Sequence, residues 1–540
     1  MSILSINNLS YSHPNKDILL KNINLSVERG EKVSLIGNNG SGKSTLLKLI
    51  TGSLTPSSGS VFSSGNIYFV PQHYSQYNDC KIADALNVQH ILNALEMISA
   101  GTTNLDYYNI LEGNWDIEER IAKALSYWKL THININRDLG SLSGGEKTKV
   151  FLAGIFIHNP DIILMDEPTN HLDKACRKIL YDFIKSSQKS MIIVSHDRTL
   201  LNLIDTTLEL TSDGIITYGG NYEFYKDVRT QNLEALQKQV EEKEKELRKA
   251  KKIAQQTLER QQKRSASSKK SSADKGLPRI ILNNLQSEAE KSTSKLKDTH
   301  NEKLTNLADD VKELQKKSSS LISKNLKLNI EDAQLHKGKS LVNAIDINFR
   351  YEEKMLWENP ISLQIFSGDR INISGENGSG KSTLIKLIFD ELKPTVGNIQ
   401  RNDFSKIYID QEYSMIENEL TVYEQVEKYN SQNYSEPEVK SILTHYQFTY
   451  EFWDKKCKIL SGGEKMKLLF CCMEINNSFP DMIALDEPTN NLDINSLEIV
   501  SSTLKSYKGT LLVISHDEYF LEEVGIASSL HVTQHLNHFH

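Results

Sequence analysis

The chain has 540 residues, enough for two or three domains, and its 38% apolar and 25% charged shares are those of an ordinary soluble globular protein. Its longest apolar run, Val150–Ile157, covers about eight residues against the roughly 20 that a membrane span needs, and the opening MSILSINNLSYSHPNKD lacks the basic-then-apolar order of a signal peptide. Five cysteines without metal-ligand spacing exclude a disulfide or zinc scaffold, and a net charge of -7 argues against bulk nucleic-acid affinity, so a cytoplasmic protein is expected whose mean charge can still hide a local basic region.

The first clear element is GEKVSLIGNNGSGKSTLLKLI, from Gly30 to Ile50, which reads as strand, glycine-rich turn and helix. Gly37, Asn38, Asn39, Gly40, Ser41, Gly42, Lys43 and Ser44 fit GxxxxGK[ST], with Thr45 next. Glycines there let the backbone curl so that its N–H groups surround phosphate oxygens at a helix N-terminus. Lys43 then meets the β- and γ-phosphates, and the Ser44 hydroxyl ligates Mg²⁺. Between Gln72 and Leu142 the chain is longer than in the second copy described below; the extra length fits either a partner-contacting arm or an enlarged helical subdomain, and the second is favoured because ILNALEMI and WDIEERIAKAL read as amphipathic core helices. The strand IILMDE then ends in two carboxylates: Asp166 suits the Mg²⁺ shell, and Glu167 is placed to polarise an attacking water.

The stretch from Asn221 to Arg264 has no glycine or proline, and Leu233, Leu236, Val240, Leu247, Ala250 and Ala254 fall on three- and four-residue steps, with Lys243 in one inward slot. Leu304, Leu307, Val311, Leu314 and Leu321 repeat the pattern on the way back. Two helices of about 40 residues, paired antiparallel over roughly 60 Å, are predicted. Arg248–Arg279 holds 11 basic residues and two acidic ones. Such crowding calls for a polyanion, and lysines suit sequence-blind phosphate contact. A tip near 265–285, with Lys269, Lys270, Lys275, Leu277, Pro278, Arg279, Ile280 and Ile281, is basic and then apolar, the mark of an interaction site.

Beyond the hairpin the chain repeats itself. Gly375, Glu376, Asn377, Gly378, Ser379, Gly380, Lys381, Ser382 and Thr383 form a second P-loop, and MIALDE ends in Asp486 and Glu487. LSGGEKTK from Leu142 recurs as LSGGEKMK from Leu460, and IIVSHD from Ile192 recurs as LVISHD from Leu512. Self-similarity of this kind fixes the architecture: two copies of about 200 residues with roughly 120 between them. The ending HVTQHLNHFH, with four histidines, reads as a frayed terminus, and only about 24 residues follow His516, too few for a large rRNA-binding extension.

LSGGE, placed between a P-loop and DEPTN in both copies, resembles the ATP-binding cassettes. The resemblance implies an α/β fold of two P-loop cassette domains, 1–220 and 336–540, joined by a long antiparallel helical hairpin, 221–335. It also implies head-to-tail packing with ATP held between one P-loop and the other signature. One site would join Gly37 to Thr45, Asp166 and Glu167 with Ser461, Gly462 and Gly463. The other would join Gly375 to Thr383, Asp486 and Glu487 with Ser143, Gly144 and Gly145. Gln72 and Gln411 match the loop glutamine that senses Mg²⁺ and the γ-phosphate, and His196 and His516 match the switch histidine. Tyr11 is expected to stack on adenine in the first site; Phe349 and Tyr351 both remain open in the second. Every catalytic residue type is kept in both sites, so two hydrolysing sites are expected.

Two cassettes joined by a charged hairpin, with DEPTNHLD and DEPTNNLD, resemble the ABC-F translation factors over nearly the whole chain. That resemblance implies a monomeric ATPase that uses ATP and Mg²⁺, binds the ribosome at its exit site and carries its linker along rRNA and P-site tRNA towards the peptidyl-transferase centre. The long tip resembles the members that dislodge antibiotics; a housekeeping factor for stalled ribosomes is the alternative, and a transporter ATPase subunit a weaker one. No membrane and no DNA partner are expected.

Overall fold

A computed structural model describes residues 2–14, 18–273, 294, 301–315, 338–351, 354–476, 479–490 and 492–533. Compact packing divides the chain into two units: Met1–Glu223 with Asn325–His540, and Phe224–Lys324. The two halves of the duplication thus share one unit.

Each half is built on a mostly parallel sheet, because its strands are continuous apolar runs that need cover on both faces. Ile162–Asp166 and Ser190–Val194, like Met482–Asp486 and Thr510–Ile514, are buried at every residue. The first sheet runs Ile67–Val70, Ile162–Asp166, Ser190–Val194, Lys32–Ile36, Thr206–Thr211, Gly214–Tyr218, with only the last strand antiparallel. The second runs Lys406–Ile409, Met482–Asp486, Thr510–Ile514, Arg370–Ser374, Ser528–His531, all parallel. A separate three-stranded antiparallel sheet accompanies each: Ile18–Glu28, Ser2–Ser12, Ser58–Ser63, and Ile361–Phe366, Ser340–Asn348, Val396–Arg401. One core cluster in each half joins this antiparallel sheet to the P-loop helix (Leu4, Leu46 and Leu164 in the first, Val342, Leu384 and Ala484 in the second), and another fills the opposite face under the helices.

The longer segment of the first half is helical, as expected, with helices Gln89–Ser99, Leu105–Leu111 and Ile117–Tyr127. Ile117, Ile121, Ala124, Leu125 and Trp128 enter the core, whereas the first of these helices buries only Ala94 fully. Four of the five cysteines, Cys176, Cys457, Cys471 and Cys472, are buried among apolar side chains.

The second unit carries the arm. Its first helix, Tyr222–Ala273, has 52 residues rather than about 40, or about 80 Å at 1.5 Å per residue. The correction has a plain cause: RSASSKKSSA holds no helix breaker, and serine costs only about half a kcal/mol against alanine, while the first breakers are Gly276 and Pro278. Lys269 and Lys270 therefore sit on helix; Lys275, Leu277, Pro278, Arg279, Ile280 and Ile281 lie outside the described residues. The returning stretch 301–315 is helical, Gln315 donates to Glu244 at 2.8 Å, and Val311 and Ala254 are buried. Lys243, the cation in the apolar register, is met by Glu246 at 3.3 Å and Asp310 at 3.8 Å. Among the described residues no helix is long and apolar enough to cross a membrane and no cluster of three or more His, Cys, Asp or Glu side chains is placed to hold a metal; of the four terminal histidines, the three beyond residue 533 are outside them.

Candidate active sites at the cassette interface

The strand Lys32–Ile36 runs straight into its P-loop. Gly37 adopts φ +155, and a Cβ there would come within 2.7 Å of the Leu210 carbonyl oxygen, so the loop admits only glycine at its first turn. Gly42 and Gly380, at φ +97 and +92, open the helices Lys43–Ile50 and Lys381–Ile388, and neither helix has a side-chain cap. Their first-turn N–H groups stay free for an anion. Lys43 donates to the carbonyls of Gly37 at 2.7 Å and Asn38 at 3.1 Å; Lys381 donates to Gly375 at 2.9 Å and Glu376 at 3.0 Å.

Beside each P-loop stands a strand ending in Asp and Glu. Ser382 Oγ donates to Asp486 Oδ2 at 2.5 Å, and Tyr408 Oη donates to the same oxygen at 3.0 Å. Glu167 and Glu487 hold left-handed backbones at φ 51 and 48 while their amides still bond the neighbouring strand at Val194 and Ile514, both at 2.8 Å. That conformation is costly for a residue with a side chain and is kept where function over-determines it. Each glutamate faces the switch histidine of its own half: His196 Nε2 is 3.3 Å from Glu167 Oε1 and His516 Nε2 is 3.5 Å from Glu487 Oε1. Burial drives both pairs towards their neutral forms. Glu487 is raised to about 7 by burial, against the pull of Arg177, and His516 is lowered to about 4 by burial and then by Arg177. Glu167 moves up through burial and Asp166, and His196 down through burial and Lys43. A carboxylate with basicity near neutral pH beside an uncharged imidazole suits a group that orients and deprotonates water.

The halves meet head to tail. A cavity of about 1330 Å³ is lined by Ser143, Gly144 and Gly145 from the first half and by Asn377 to Thr383, Gln411, Asp486, Glu487 and His516 from the second. All the residues named for the second site line it except Gly375 and Glu376 at the loop's entry and the aromatic alternative Phe349. Ser143 and Ser461 each form a capping box, with Glu146 and Glu464 returning to the serine backbone at 2.9 and 2.8 Å. In the first site the P-loop is met by Asp493, which accepts from the Asn39 amide at 2.9 Å, and by Asn495, which donates to Asn38 at 2.6 Å. Gly463 of the second signature packs against Ser496, whose amide is capped by the same Asp493. Of the second signature, Gly463 is thus linked to the first P-loop through Ser496 and that aspartate.

Of Phe349 and Tyr351, Tyr351 lines the second cavity, as Trp357 also does, with its hydroxyl 3.2 Å from Thr383 Oγ1, whereas Phe349 packs on the core. Tyr11 is half-buried, with its ring edge on His13 at 5.6 Å. Gln72 is half-buried and Gln411 exposed at the cavity wall. Sequence reasoning passed over Asp173 and Asp493, Asn495, His171 and Arg177. The aspartates were detectable: an Asp three residues ahead of a helix amide is an N-cap signal, and both cap helices, Lys174–Ser186 and Ile494–Ser506.

The donor set fits a triphosphate with a hard cation. Ser41 Oγ, Ser379 Oγ and Asp166 Oδ1 are buried without a hydrogen-bond partner, an expense explained by a ligand that supplies one. Hydroxyl and carboxylate oxygens are what Mg²⁺ prefers. The comparisons agree: residues 20–170 and 359–490 match the ABC transporter family. The chain belongs to the ATP-binding cassette family. This cassette protein is 29% identical to ABC transporter F family member 5 of Arabidopsis thaliana over 94% of its own length and 72% of the relative's. It is 28% identical to ribosome protection protein VmlR of Bacillus subtilis, covering 96% of this chain and 85% of that one. In the crystal structure of the archaeal ribosomal stalk protein aP1 with the ribosome recycling factor aABCE1, the matching chain superposes with a TM-score of 0.57 at 19% identity, over 96% of this chain and 86% of that chain. At that identity the likeness is one of fold.

Proposed function

We propose that this cassette protein is an ATP-hydrolysing translation factor of the ABC-F type that binds the ribosome with its two cassettes closed on ATP. The observation that carries the reading is the second cavity, in which the first half's signature faces the second half's P-loop. A site shared in this way can be completed only when the halves are together, so ATP acts as the glue of a closed state and its hydrolysis as the release. The chain's own residues divide the work. P-loop amides and Lys43 or Lys381 hold the phosphates, Ser143 to Gly145 or Ser461 to Gly463 cover them from the opposite cassette, and Tyr11 or Tyr351 supports the base. Glu167 and Glu487 accept the proton of the attacking water, oriented by His196 and His516. Ser44, Asp166 and Gln72, with Ser382, Asp486 and Gln411, would hold Mg²⁺, which supplies charge neutralisation on the phosphates when bound.

The basic first helix of the arm, rich in exposed Lys and Arg from Arg248 onward, suits a phosphate backbone, which favours rRNA and P-site tRNA as its contacts. The finer reading is that the arm reaches the peptidyl-transferase centre and displaces antibiotics. The Bacillus subtilis relative VmlR is a ribosome protection protein, which supports this reading. The test is sedimentation of the Glu167→Gln, Glu487→Gln protein with purified ribosomes, with and without ATP. Co-pelleting that needs ATP is expected; none in either condition would discard the ribosome reading. Drug tolerance conferred by the intact protein, and lost when 271–281 is removed, separates protection from housekeeping.

A further inference from the structure

The two sites do not carry the same charge. The helices that follow the two DEPTN stretches start from matched capping aspartates, Asp173 and Asp493. Four residues on, the first cassette has Arg177 and the second has Leu497. Arg177 is 7% exposed; its Nε donates to the Leu172 carbonyl at 3.1 Å, and its Nη1 lies 3.6 Å from Asp197 Oδ2. The same side chain lines the second site's cavity beside Glu487, Asn490 and His516, and it lines a smaller cavity with Glu167, His196, Asp197, Leu497 and Asp517; of the two glutamates, Glu487 is the one whose charge acts on it. Glu487 and Asp517 of the second cassette both act on its charge across the interface. Leu497 offers Glu167 no such cation.

Two ion pairs between the cassettes share this bias. Lys174 pairs with Glu518 at 2.6 Å, and Arg198 with Glu523 at 2.6 Å. In both, the first cassette gives the cation and the second the carboxylate, and the matched positions, Ile494 for Lys174 and Glu518 for Arg198, do not allow the reverse pairing. Asp197 does not need Arg177 to stay satisfied, because Tyr181 Oη donates to it at 2.5 Å and it accepts from the Leu200 amide at 3.2 Å. What Arg177 adds is therefore a buried positive charge at the end of the cavity where the phosphoryl group would be transferred.

We propose that Arg177 is a positioning residue supplied in trans to the second site, where it holds Glu487 and favours the charge that builds on the transferred phosphoryl group, and that Leu497 in its place leaves the first site the slower of the two. Fixed charges aimed at developing charge in a buried site are among the largest catalytic effects. The inference rests on hydrolysis at both glutamates as read above. It also makes turnover at the second site depend on the first cassette's switch region, through Asp197.

The test measures phosphate release from MgATP by the full chain in two backgrounds, Glu167→Gln, where only the second site turns over, and Glu487→Gln, where only the first does. The second site should be the faster. Arg177→Leu should lower kcat at the second site by at least about tenfold, with KM within about threefold, and lower the first site's rate by clearly less. Arg177→Lys should recover part of the second-site rate, since it keeps the charge without the fork. Leu497→Arg should raise the first-site rate. Equal rates in the two backgrounds, a parallel loss at both sites, or a lysine variant no better than leucine would overturn the proposal. A wild-type chain that releases no phosphate would sink the ATPase reading itself, and this inference with it.

Discussion

Asn377 donates its side-chain amide to the backbone carbonyl of His171 at 2.7 Å, which ties the second P-loop to the loop leaving the first cassette's DEPTN stretch. The reciprocal tie uses other atoms: Asn39's amide reaches Asp493, and Asn495 reaches Asn38. A P-loop that also bonds the opposite cassette would couple nucleotide binding to interface closure under the function proposed above.

Asn377→Ala removes one neutral hydrogen bond, worth about 1 kcal/mol, or roughly a fivefold change in an equilibrium constant. ATP affinity at the second site should fall by about that factor in the Glu167→Gln, Glu487→Gln background, read by calorimetric titration. An unchanged affinity would mean that the bond forms equally well without nucleotide.

Trp357 makes a second asymmetric support. It is 1% exposed and its indole N–H donates to the Ser379 carbonyl at 2.9 Å, beneath the second P-loop; around Gly42 the first cassette places Leu19 and Leu20 instead. Trp357→Phe keeps most of the apolar bulk and leaves that carbonyl without its donor, at a cost of about 1–3 kcal/mol. Denaturant unfolding should show the loss, and nucleotide affinity should weaken at the second site more than at the first. Equal weakening at both would place the effect in general stability.

Much of this was legible in the sequence where a motif and its partner lie close along the chain. The P-loops, the DE pairs on buried strands and the switch histidines follow from runs such as IILMDE, whose continuous apolar character puts the carboxylates at strand ends. Arg177 was not legible. A buried arginine four residues into an amphipathic helix reads as a surface cation until the opposing cassette is in place. Nor was the full length of the arm helix: a serine- and lysine-rich stretch looks like a loop by composition, but nothing in it ends a helix before Gly276. The choice between Phe349 and Tyr351 needed the fold, because the two lie only two residues apart, Phe349 just ahead of the short strand Arg350–Tyr351, and of the two only Tyr351 lines the cavity.

The bridge from Arg198 to Glu523 joins the two cassettes. Arg198 is 1% exposed and Glu523's side chain 32% exposed. Glu523→Gln leaves a buried guanidinium without its counter-charge, which for a fully buried pair costs about 3–5 kcal/mol and here, with the glutamate partly screened, about 1–3 kcal/mol. Thermal unfolding should move down, and Arg198→Met added to Glu523→Gln should recover part of the loss. Failure of the second change to recover anything would show that the arginine stem, not its charge, holds the interface.

The arm's partner can be tested by its salt dependence. Lys249, Lys251 and Lys252 are exposed on the first arm helix and belong to none of the ATP-site motifs of the sequence. If they contact RNA phosphates, replacing all three with glutamine should leave ATPase activity in place and weaken ribosome binding at every salt concentration. Each lost phosphate contact lowers the slope of log affinity against log salt by about one, so the triple change should lower it by about three. Binding is to be read by sedimentation of the Glu167→Gln, Glu487→Gln protein over a salt series. A weaker affinity with the slope preserved would point to a folding effect in the arm, and an unchanged affinity would remove this face of the helix from the RNA contact.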